Sequence, residues 1–473
     1  MSERVDLRMP KKLHLIASYS GEGFPRKGAK AQRRNLVFLC AFAPLREKSS
    51  YGSKAATRNV NLLISLLVLL AFGCNRYEPS VAEAPEPLVI RATESPTNGD
   101  SREPELTATP DGRIVLSWVE KLDAKRYALR AALRDQTGWT EVRTVAEGDN
   151  WFINWADFPS VIGLNDGSLA AHWLVKSSSG TYAYDVNIAL SKDGGKSWTK
   201  PIVPHLDNTQ TEHGFVSLIP LRDGRLGAIW LDGRNMKGMK DEHDEDKPLP
   251  VNMTMRYAAI DASGKIADEA ELDERVCECC QTSAALSSEG VIAVYRDRSQ
   301  NEVRDIYSVR QASGAWVKPQ AVHADNWEIN GCPVNGPAIA ASGRNVAVAW
   351  FTGAAGKSTV KVAFSADGGA TFGAPIQIDE GETQGRVDVL MLPDNSALVC
   401  WLAGNAEGGA INVRRVQANG ALGPSSAIAK TDISRSSGFP RMALLGNEVH
   451  FAWTEFGKPS KVRTAAADVS RYK

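Results

Sequence analysis

The sequence predicts an all-β fold made of repeated units of four short antiparallel strands, and two internal repeats lead to that prediction. The first is an octapeptide that occurs twice, 174 residues apart, as SKDGGKSW at 191–198 and SADGGATF at 365–372. In this pattern the Ser and Asp side chains bind their own backbone, the glycines permit positive φ, and the final aromatic packs behind the turn. Each copy therefore predicts a hairpin between two strands of one unit.

The second repeat is a short apolar strand that ends in an aromatic residue and recurs at steps of 51 to 65 residues. Three of these steps separate the two octapeptides, so both repeats belong to one series of units. The seven aromatic residues are Trp118, Trp173, Trp230, Tyr295, Trp350, Trp401 and Trp453. Four-stranded units repeated around a circle predict a β-propeller with seven blades, or six if a terminal unit is partial.

The two ends of the repeat series are complementary. The last unit ends before its fourth strand, whereas a strand-like run at 88–92 precedes the first unit. We expect this N-terminal strand to complete the last blade, because a closed ring has no exposed sheet edge. The predicted propeller domain therefore spans 88–473.

The two octapeptides resemble the Asp boxes, or BNR repeats, of the sialidase (neuraminidase) superfamily, and the resemblance extends from Glu86 to the C-terminus. It implies a propeller that binds or hydrolyses an anionic glycan, at best as an exo-α-sialidase, without a cofactor. Asp boxes also occur in propellers that only bind partners. A catalytically silent propeller that binds a glycan or a protein is therefore an alternative.

The segment before the propeller carries a targeting pattern. Residues 1–58 contain 13 Lys and Arg against 4 Asp and Glu, which predicts a disordered leader or a start codon assigned too early. The apolar run within 59–74 is too short to span a bilayer and ends at Cys74, which resembles a bacterial lipoprotein signal. Residues 75–87 would then be a tether, with an ordinary secretory signal or a buried strand as alternatives.

The composition limits the partners. Lys and Arg number 55, as do Asp and Glu, so no excess positive charge indicates nucleic-acid binding. We expect an exported monomer in the bacterial cell envelope that contacts the membrane only through a lipid on Cys74.

The order of the strands predicts which face carries the site. Successive turns of an antiparallel meander alternate between faces, so the octapeptides lie on one face. The loops that join successive units, and the loop between the second and third strands of each unit, lie on the other. Charged, aromatic and sulfur residues concentrate on the latter loops, which we call the mouth. By resemblance, three arginines would hold a substrate carboxylate there, although each could instead pair with a neighbouring Asp. The substrate-binding candidates are Arg102, Arg234, Arg296, Arg386, His213 and Asn335.

The resemblance also implies a tyrosine nucleophile late in the chain, activated by a Glu, and an Asp that acts as acid and base. No tyrosine occurs within 308–471, so the late nucleophile has no match. The candidates in early loops are Tyr184, or Tyr182, as nucleophile, Glu212 as its activator and Asp157 as the acid. Enzyme activity therefore remains open.

Four cysteines lie on the mouth loops that flank the fourth unit: Cys277, Cys279, Cys280 and Cys332. In an oxidising compartment we expect disulfides between these loops, with Cys332 bonded to one of the other three. The alternative is a metal site, because several thiolates suit Cu(I) or Zn²⁺, although C-x-C-C differs from the common zinc spacing.

The lipoprotein hypothesis predicts covalent acylation at one residue. Cells that express the full chain and are fed labelled palmitate should yield labelled protein, and Cys74→Ser should abolish the label because the acceptor thiol is lost. Cys40→Ser is the matched control and should leave the label unchanged. Equal labelling of wild type and Cys74→Ser would contradict the hypothesis.

Overall fold

A computed structural model describes residues 86–238 and 252–470, and these residues form a seven-bladed β-propeller of antiparallel sheets, as predicted. The leader, Cys74 and nearly all of the tether lie outside the described residues. Within the described part of the chain, no helix is long and apolar enough to cross a membrane.

Each blade is a meander that runs from the central channel outwards. In blades 1 to 6 the strands follow one another along the chain, and blade 7 takes its outer strand from the N-terminal segment. The strands are, in blade 1, Asp100–Ala108, Ile114–Lys121, Tyr127–Asp135, Gly138–Trp139 and Arg143–Gly148; in blade 2, Ser160–Gly163, Leu169–Lys176 and Tyr184–Ser191; in blade 3, His213–Pro220, Leu226–Asp232, Met253–Ile260 and Ile266–Val276; and in blade 4, Ser283–Ser287, Gly290–Arg296, Ile306–Ala312, Ala315–Trp316 and Gln320–His323. Blade 5 has Ala338–Ser342, Asn345–Thr352, Thr359–Ser365 and Ile376–Gln377; blade 6 has Thr383–Met391, Ala397–Asn405, Gly408–Val416 and Ser426–Thr431; and blade 7 has Arg441–Leu445, Glu448–Glu455, Lys461–Asp468 and the N-terminal strand Arg91–Thr93. Three short 3-10 turns occur at Arg234–Met236, Ala354–Gly356 and Arg435–Ser437.

The N-terminal strand closes the ring, as the sequence predicts. Arg91–Thr93 pairs antiparallel with Lys461–Asp468 and forms the outer strand of blade 7. The first and last described segments of the propeller are thereby joined in one sheet, and the outer edge of blade 7 is covered.

The repeated aromatic residues pack between blades. All seven are buried, and each belongs to an apolar cluster that also contains residues of the preceding blade. Trp401 of blade 6, for example, packs with Val362 of blade 5, and Trp118 of blade 1 packs with Val462 of blade 7. The repeat that predicted the number of blades is therefore the repeat that holds neighbouring blades together.

Blade 2 departs from the four-strand pattern. Its outer strand is reduced to one bridge, in which Ile202 and Ile188 exchange backbone hydrogen bonds of 2.8 Å. Pro201 and Pro204 flank this bridge, and a proline has no N–H to donate to a sheet. The chain is therefore released towards the mouth directly after Ile202.

Backbone bulges mark the mouth ends of three inner strands. Glu103, Phe215 and Arg386 adopt φ of 54°, 53° and 52°, within register shifts of blades 1, 3 and 6. Left-handed conformations of such residues cost energy and persist only where their surroundings fix them. Here the amide of each bulge donates to a side-chain oxygen of the preceding blade: Glu103 to Thr454 (3.1 Å), Phe215 to Asp157 (2.7 Å) and Arg386 to Asn335 (2.7 Å).

The two octapeptide hairpins contain the same hydrogen bonds. In the first, Asp193 accepts from the Ser197 backbone N–H at 2.9 Å and from the Ser197 hydroxyl at 2.6 Å, while Ser191 accepts from the Gly195 N–H at 2.9 Å. In the second, Asp367 accepts from the corresponding two groups of Thr371 at the same distances. These side chains are fully used within their own turns.

The hairpins should therefore affect stability and not ligand binding. Trp198→Ala should lower the free energy of unfolding by about 2 kcal/mol, because it removes a half-buried ring that packs on the core between blades 1 and 2. Asp193→Ala should also lower the melting temperature through the lost turn hydrogen bonds. Lys196→Ala, an exposed position in the same turn, is the control for chemical denaturation. Unchanged stability of both test variants would contradict this role.

Candidate functional site

The mouth brings together the three residues that the sequence proposed for catalysis. The Tyr184 hydroxyl lies 2.7 Å from Glu212 Oε1 and 3.0 Å from Asp157 Oδ2. The Tyr184 hydroxyl has one proton, so it can donate to only one of the two carboxyl groups. The other carboxyl group can bond to the hydroxyl oxygen only when it is itself protonated and donates. The three groups form one proton-sharing unit at the end of blade 2.

Local structure fixes each member of this unit. Tyr184 opens the third strand of blade 2, where its N–H donates to the Thr211 carbonyl at 3.1 Å and its backbone bridges to Glu212. Phe152 stacks on the Tyr184 ring with centroids 3.9 Å apart, and Tyr184 is fully buried. Asp157 is held through its other oxygen by the Phe215 amide.

Gly214 is the position on which the close approach depends. A Cβ atom added there would lie 2.1 Å from Asp157 Oδ2 and 2.8 Å from Tyr184 Cε2. Both distances are below any van der Waals contact, so only glycine allows the strand of blade 3 to pass beside the Tyr184–Asp157 contact. The segment 211–214 therefore supplies Glu212 and also leaves the space in which Asp157 and Tyr184 meet.

Burial favours the protonated form of the carboxyl groups at the mouth. It raises the pKa of Asp157 to about 7 and the pKa of Glu212 to about 8. Burial and the neighbouring carboxylates also raise the pKa of Tyr184 above its usual value. A proton can therefore be held near neutral pH on either side of the Tyr184 hydroxyl.

Glu103 is a third carboxyl group at the mouth, and it was not among the residues predicted from the sequence. It occupies the bulge of blade 1, it is buried, and burial together with the Asp157 charge raises its pKa to about 8 although Arg102 opposes the shift. The sequence contained one indication of its role, because Glu103 directly follows the candidate Arg102.

The four candidate arginines are all engaged by protein atoms. Arg296 and Arg386 are buried: Arg296 donates to the carbonyls of Asn335, Arg304 and Phe351, and Arg386 donates to carbonyls within 433–438. Arg102 pairs with Asp100 at 2.6 Å and Arg234 forms two 2.7 Å bonds with Asp232. These guanidinium groups bind loop carbonyls and neighbouring carboxylates, and of the four only Arg102 and Arg234 keep partly exposed side chains.

Asn335 likewise serves the scaffold, since its oxygen accepts from the Arg386 amide at 2.7 Å. His213 is buried and stacks on His205 with centroids 3.7 Å apart. Neither ring nitrogen of His213 hydrogen-bonds another described residue, and its Nε2 lies 3.3 Å from Asp207 Oδ1. Both ring nitrogens of His205 are occupied, one by Asp207 and the other by the Val186 amide. Of this pair, only the His213 imidazole could bind a ligand.

A cavity of about 300 Å³ extends below the mouth along the inner strands of all seven blades. Asp157 and Phe215 line it, and deeper in the channel Arg441 pairs with Glu105 at 2.8 Å. Burial raises the pKa of Glu105 to about 7 despite this pairing. The channel is therefore polar at a depth where an apolar core would otherwise be expected.

The cysteines meet where the sequence predicted, in a different state from the one expected. All five described cysteines are free thiols, so the expected bond from Cys332 to the C-x-C-C segment is absent. Cys277 Sγ lies 3.7 Å from Cys279 Sγ and 3.6 Å from Cys280 Sγ. A disulfide requires a sulfur–sulfur distance of about 2.05 Å, so these thiols are in contact but not bonded, and the three are close enough to hold one ion.

Comparison with known proteins gives structural similarity without a family. The chain matches no protein-family model and no curated protein. Similar solved structures include a protein of unknown function from Dyadobacter fermentans, at 16% identity over 80% of this chain and 99% of that one, with a TM-score of 0.47. Others are the NanB sialidase from Streptococcus pneumoniae (12%, 82% and 71%, 0.41) and the α-L-arabinofuranosidase Arb93A from Fusarium graminearum (11%, 82% and 98%, 0.43). At such identities, activity must be decided from the residues of the mouth.

The raised pKa values predict how stability depends on pH. Asp157 and Glu212 keep their protons in the folded protein up to pH about 7 and 8, whereas the unfolded chain loses them near the ordinary values of 3.8 and 4.5. The folded state therefore binds more protons between these limits, and the free energy of unfolding should fall as pH rises from about 4.5 to about 8.

Denaturant titrations at several pH values within this window measure the effect. The double variant Asp157→Asn/Glu212→Gln should show a shallower decline than wild type, because two titrating groups are gone while the Asn oxygen can still accept from Phe215. Glu407→Gln, at an exposed turn of blade 6, should keep the wild-type slope. Identical slopes in all three proteins would refute the assignment.

Proposed function

We propose that the protein is an exported, lipid-anchored glycoside hydrolase that cleaves a terminal sugar at the mouth, with Tyr184, Glu212 and Asp157 as its reacting groups. The observation that carries this proposal is the Tyr184 hydroxyl held between the partly buried Glu212 carboxyl group at 2.7 Å and the buried Asp157 carboxyl group at 3.0 Å. Export and the lipid on Cys74 rest on the leader sequence alone.

The proposed chemistry requires an ionised Glu212 and a protonated Asp157, which is the minority arrangement of the proton because the Glu212 pKa of about 8 exceeds the Asp157 pKa of about 7. Tyr184 Oη attacks the anomeric carbon as its proton passes to Glu212, and Asp157 donates a proton to the departing glycosidic oxygen. Water then attacks the tyrosyl glycoside, loses a proton to Asp157 and releases Tyr184, which regains its proton from Glu212. A pKa of about 7 for Asp157 suits a group that must be an acid in one step and a base in the next.

The proposed steps retain the anomeric configuration. Tyr184 and then water attack the anomeric carbon in turn, and each displacement inverts it, so the product has the configuration of the substrate.

The exposure of the arginines decides which of them can contact an anionic sugar. An anionic sugar would meet Arg102 and Arg234, whose side chains are 30% and 23% exposed, and would have to displace their Asp partners. Arg296 and Arg386 are too deeply engaged to contribute. The proposed substrate is therefore a glycan whose carboxylate, if present, is held by these two partly exposed arginines.

A catalytically silent glycan- or protein-binding propeller is the second candidate. The observation in its favour is the full burial of Tyr184 beneath Phe152, which separates the hydroxyl from a ligand unless the loop that carries Phe152 moves. In that case the Tyr184 unit would only stabilise the mouth.

Turnover of fluorogenic glycosides distinguishes the two candidates. A panel with a sialoside, a galactoside and an arabinofuranoside should contain one hydrolysed substrate. Tyr184→Phe, Glu212→Gln and Asp157→Asn should each lower kcat/KM by about 100-fold or more, since each removes a group that acts in the transition state. Tyr182, the alternative nucleophile offered by the sequence, is half exposed and has no part in the proposed step, so Tyr182→Phe is the matched control and should keep wild-type turnover.

The product of the first turnover should retain the anomeric configuration when followed by NMR. Saturable glycan binding without hydrolysis of any substrate would reject the enzyme in favour of the silent propeller. Full activity in Tyr184→Phe would reject the proposed nucleophile.

A further inference from the structure

The C-x-C-C segment forms a compact group of sulfur atoms beside blade 4. Cys277 and Cys280 are buried and Cys279 is partly buried, and their three Sγ atoms all lie within 4.8 Å of one another. The segment directly follows the outer strand of blade 3, where the Cys277 amide donates to the Arg296 carbonyl at 3.0 Å. The three thiols therefore face one point while the backbone is anchored to the neighbouring blade.

The sulfur separations match those of metal thiolates. Four sulfurs at about 2.3 Å from a tetrahedral ion lie about 3.8 Å from one another, and three around a trigonal ion lie slightly further apart. The observed distances from Cys277 are 3.7 and 3.6 Å.

A fourth sulfur is available from the next loop. Cys332 is exposed, its thiol contacts Cys279, and its Sγ lies 3.9 Å from Glu278 Oε1. Cys332 precedes blade 5, and Asn335 of the same loop donates its amide to Cys280 Sγ at 3.4 Å. Amide donors of this kind stabilise negative charge on sulfur and orient a metal ligand.

Buried positive charge surrounds the sulfur atoms. Arg304 Nη1 lies 3.2 Å from Cys277 Sγ, and its side chain is 2% exposed. Arg296 is 1% exposed and donates to carbonyls only, and among the described residues no carboxylate forms an ion pair with it. A buried guanidinium without a counter-ion is costly, so anionic sulfur beside it would offset that cost.

From this geometry we infer a metal site in which Cys277, Cys279 and Cys280 bind one thiophilic d¹⁰ cation, Zn²⁺ or Cu⁺, and Cys332 completes the coordination of Zn²⁺. Three thiolates on Cu⁺ or four on Zn²⁺ carry a net charge of −2, which Arg296 offsets together with Arg304, although Arg304 also pairs with Glu278 and Glu302. Binding displaces the thiol protons into solvent. The inference concerns the sulfur atoms alone and does not depend on glycoside hydrolysis.

Metal binding to the full chain tests this inference. The reduced, metal-free protein should bind one equivalent of Zn²⁺ in competition with a chromogenic chelator, and one equivalent of Cu⁺ in competition with a Cu⁺-specific chelator. Cys277→Ser and Cys280→Ser should each weaken both by about 100-fold or more. Cys332→Ser should weaken Zn²⁺ and leave Cu⁺ nearly unchanged, because Cu⁺ accepts three ligands.

The matched control is Cys400→Ser, which removes a buried free thiol from the second strand of blade 6. It should bind both metals as wild type does. Melting curves show that each variant is folded before its affinity is measured, and Cys279→Ala provides a second test if a serine variant fails to fold.

Three outcomes would overturn the metal site. The first is folded, reduced wild type that binds neither cation; the second is wild-type affinity for both cations in Cys277→Ser and Cys280→Ser. The third is a disulfide from Cys332 to the segment, found by non-reducing mass spectrometry in protein purified under anaerobic conditions. Loss of glycoside hydrolysis alone would leave metal binding intact, so failure of the enzyme proposal and failure of this one are distinguishable.

Discussion

The mouth depends on hydrogen bonds that pass from one blade to the next. At the start of an inner strand, a backbone amide has no partner within its own sheet, and a side-chain oxygen of the preceding blade accepts from it. Thr454, Asp157, Gln281 and Asn335 provide this oxygen at four interfaces. A buried backbone amide requires a hydrogen-bond acceptor, so the polar residues at these positions have a structural role whether or not they also bind a ligand.

This constraint also shapes the chemistry of the mouth. One oxygen of Asp157 accepts from the Phe215 amide and the other contacts the Tyr184 hydroxyl. The scaffold therefore holds the Asp157 carboxyl group within hydrogen-bond distance of Tyr184. The bulge at Phe215 that makes the first contact follows Gly214, which leaves room for the second. A strained backbone and a buried carboxyl group thus support each other, which is how such sites retain unfavourable conformations.

Charge is distributed unevenly around the ring. The side near blades 1 to 3 collects acids, namely Glu103, Asp157 and Glu212, and burial keeps them protonated near neutral pH. The side near blades 4 and 5 instead holds buried arginines around sulfur atoms. One side is suited to proton transfer and the other to anionic ligands of a soft cation, which supports two separate roles for one mouth.

The sequence alone determined the blade number, the closing strand and the face that carries the loops, because each follows from a periodic pattern of apolar strands and turns. It also selected Tyr184, Glu212 and Asp157, yet the contact between Tyr184 and Asp157 depends on the space left by Gly214. Only the tertiary structure decided which groups the arginines bind, since a guanidinium binds whichever carbonyls or carboxylates the folded loops bring to it. The same holds for the cysteines: spacing in the chain permits disulfide or metal, and the distance between sulfur atoms is set by how two loops from neighbouring blades meet.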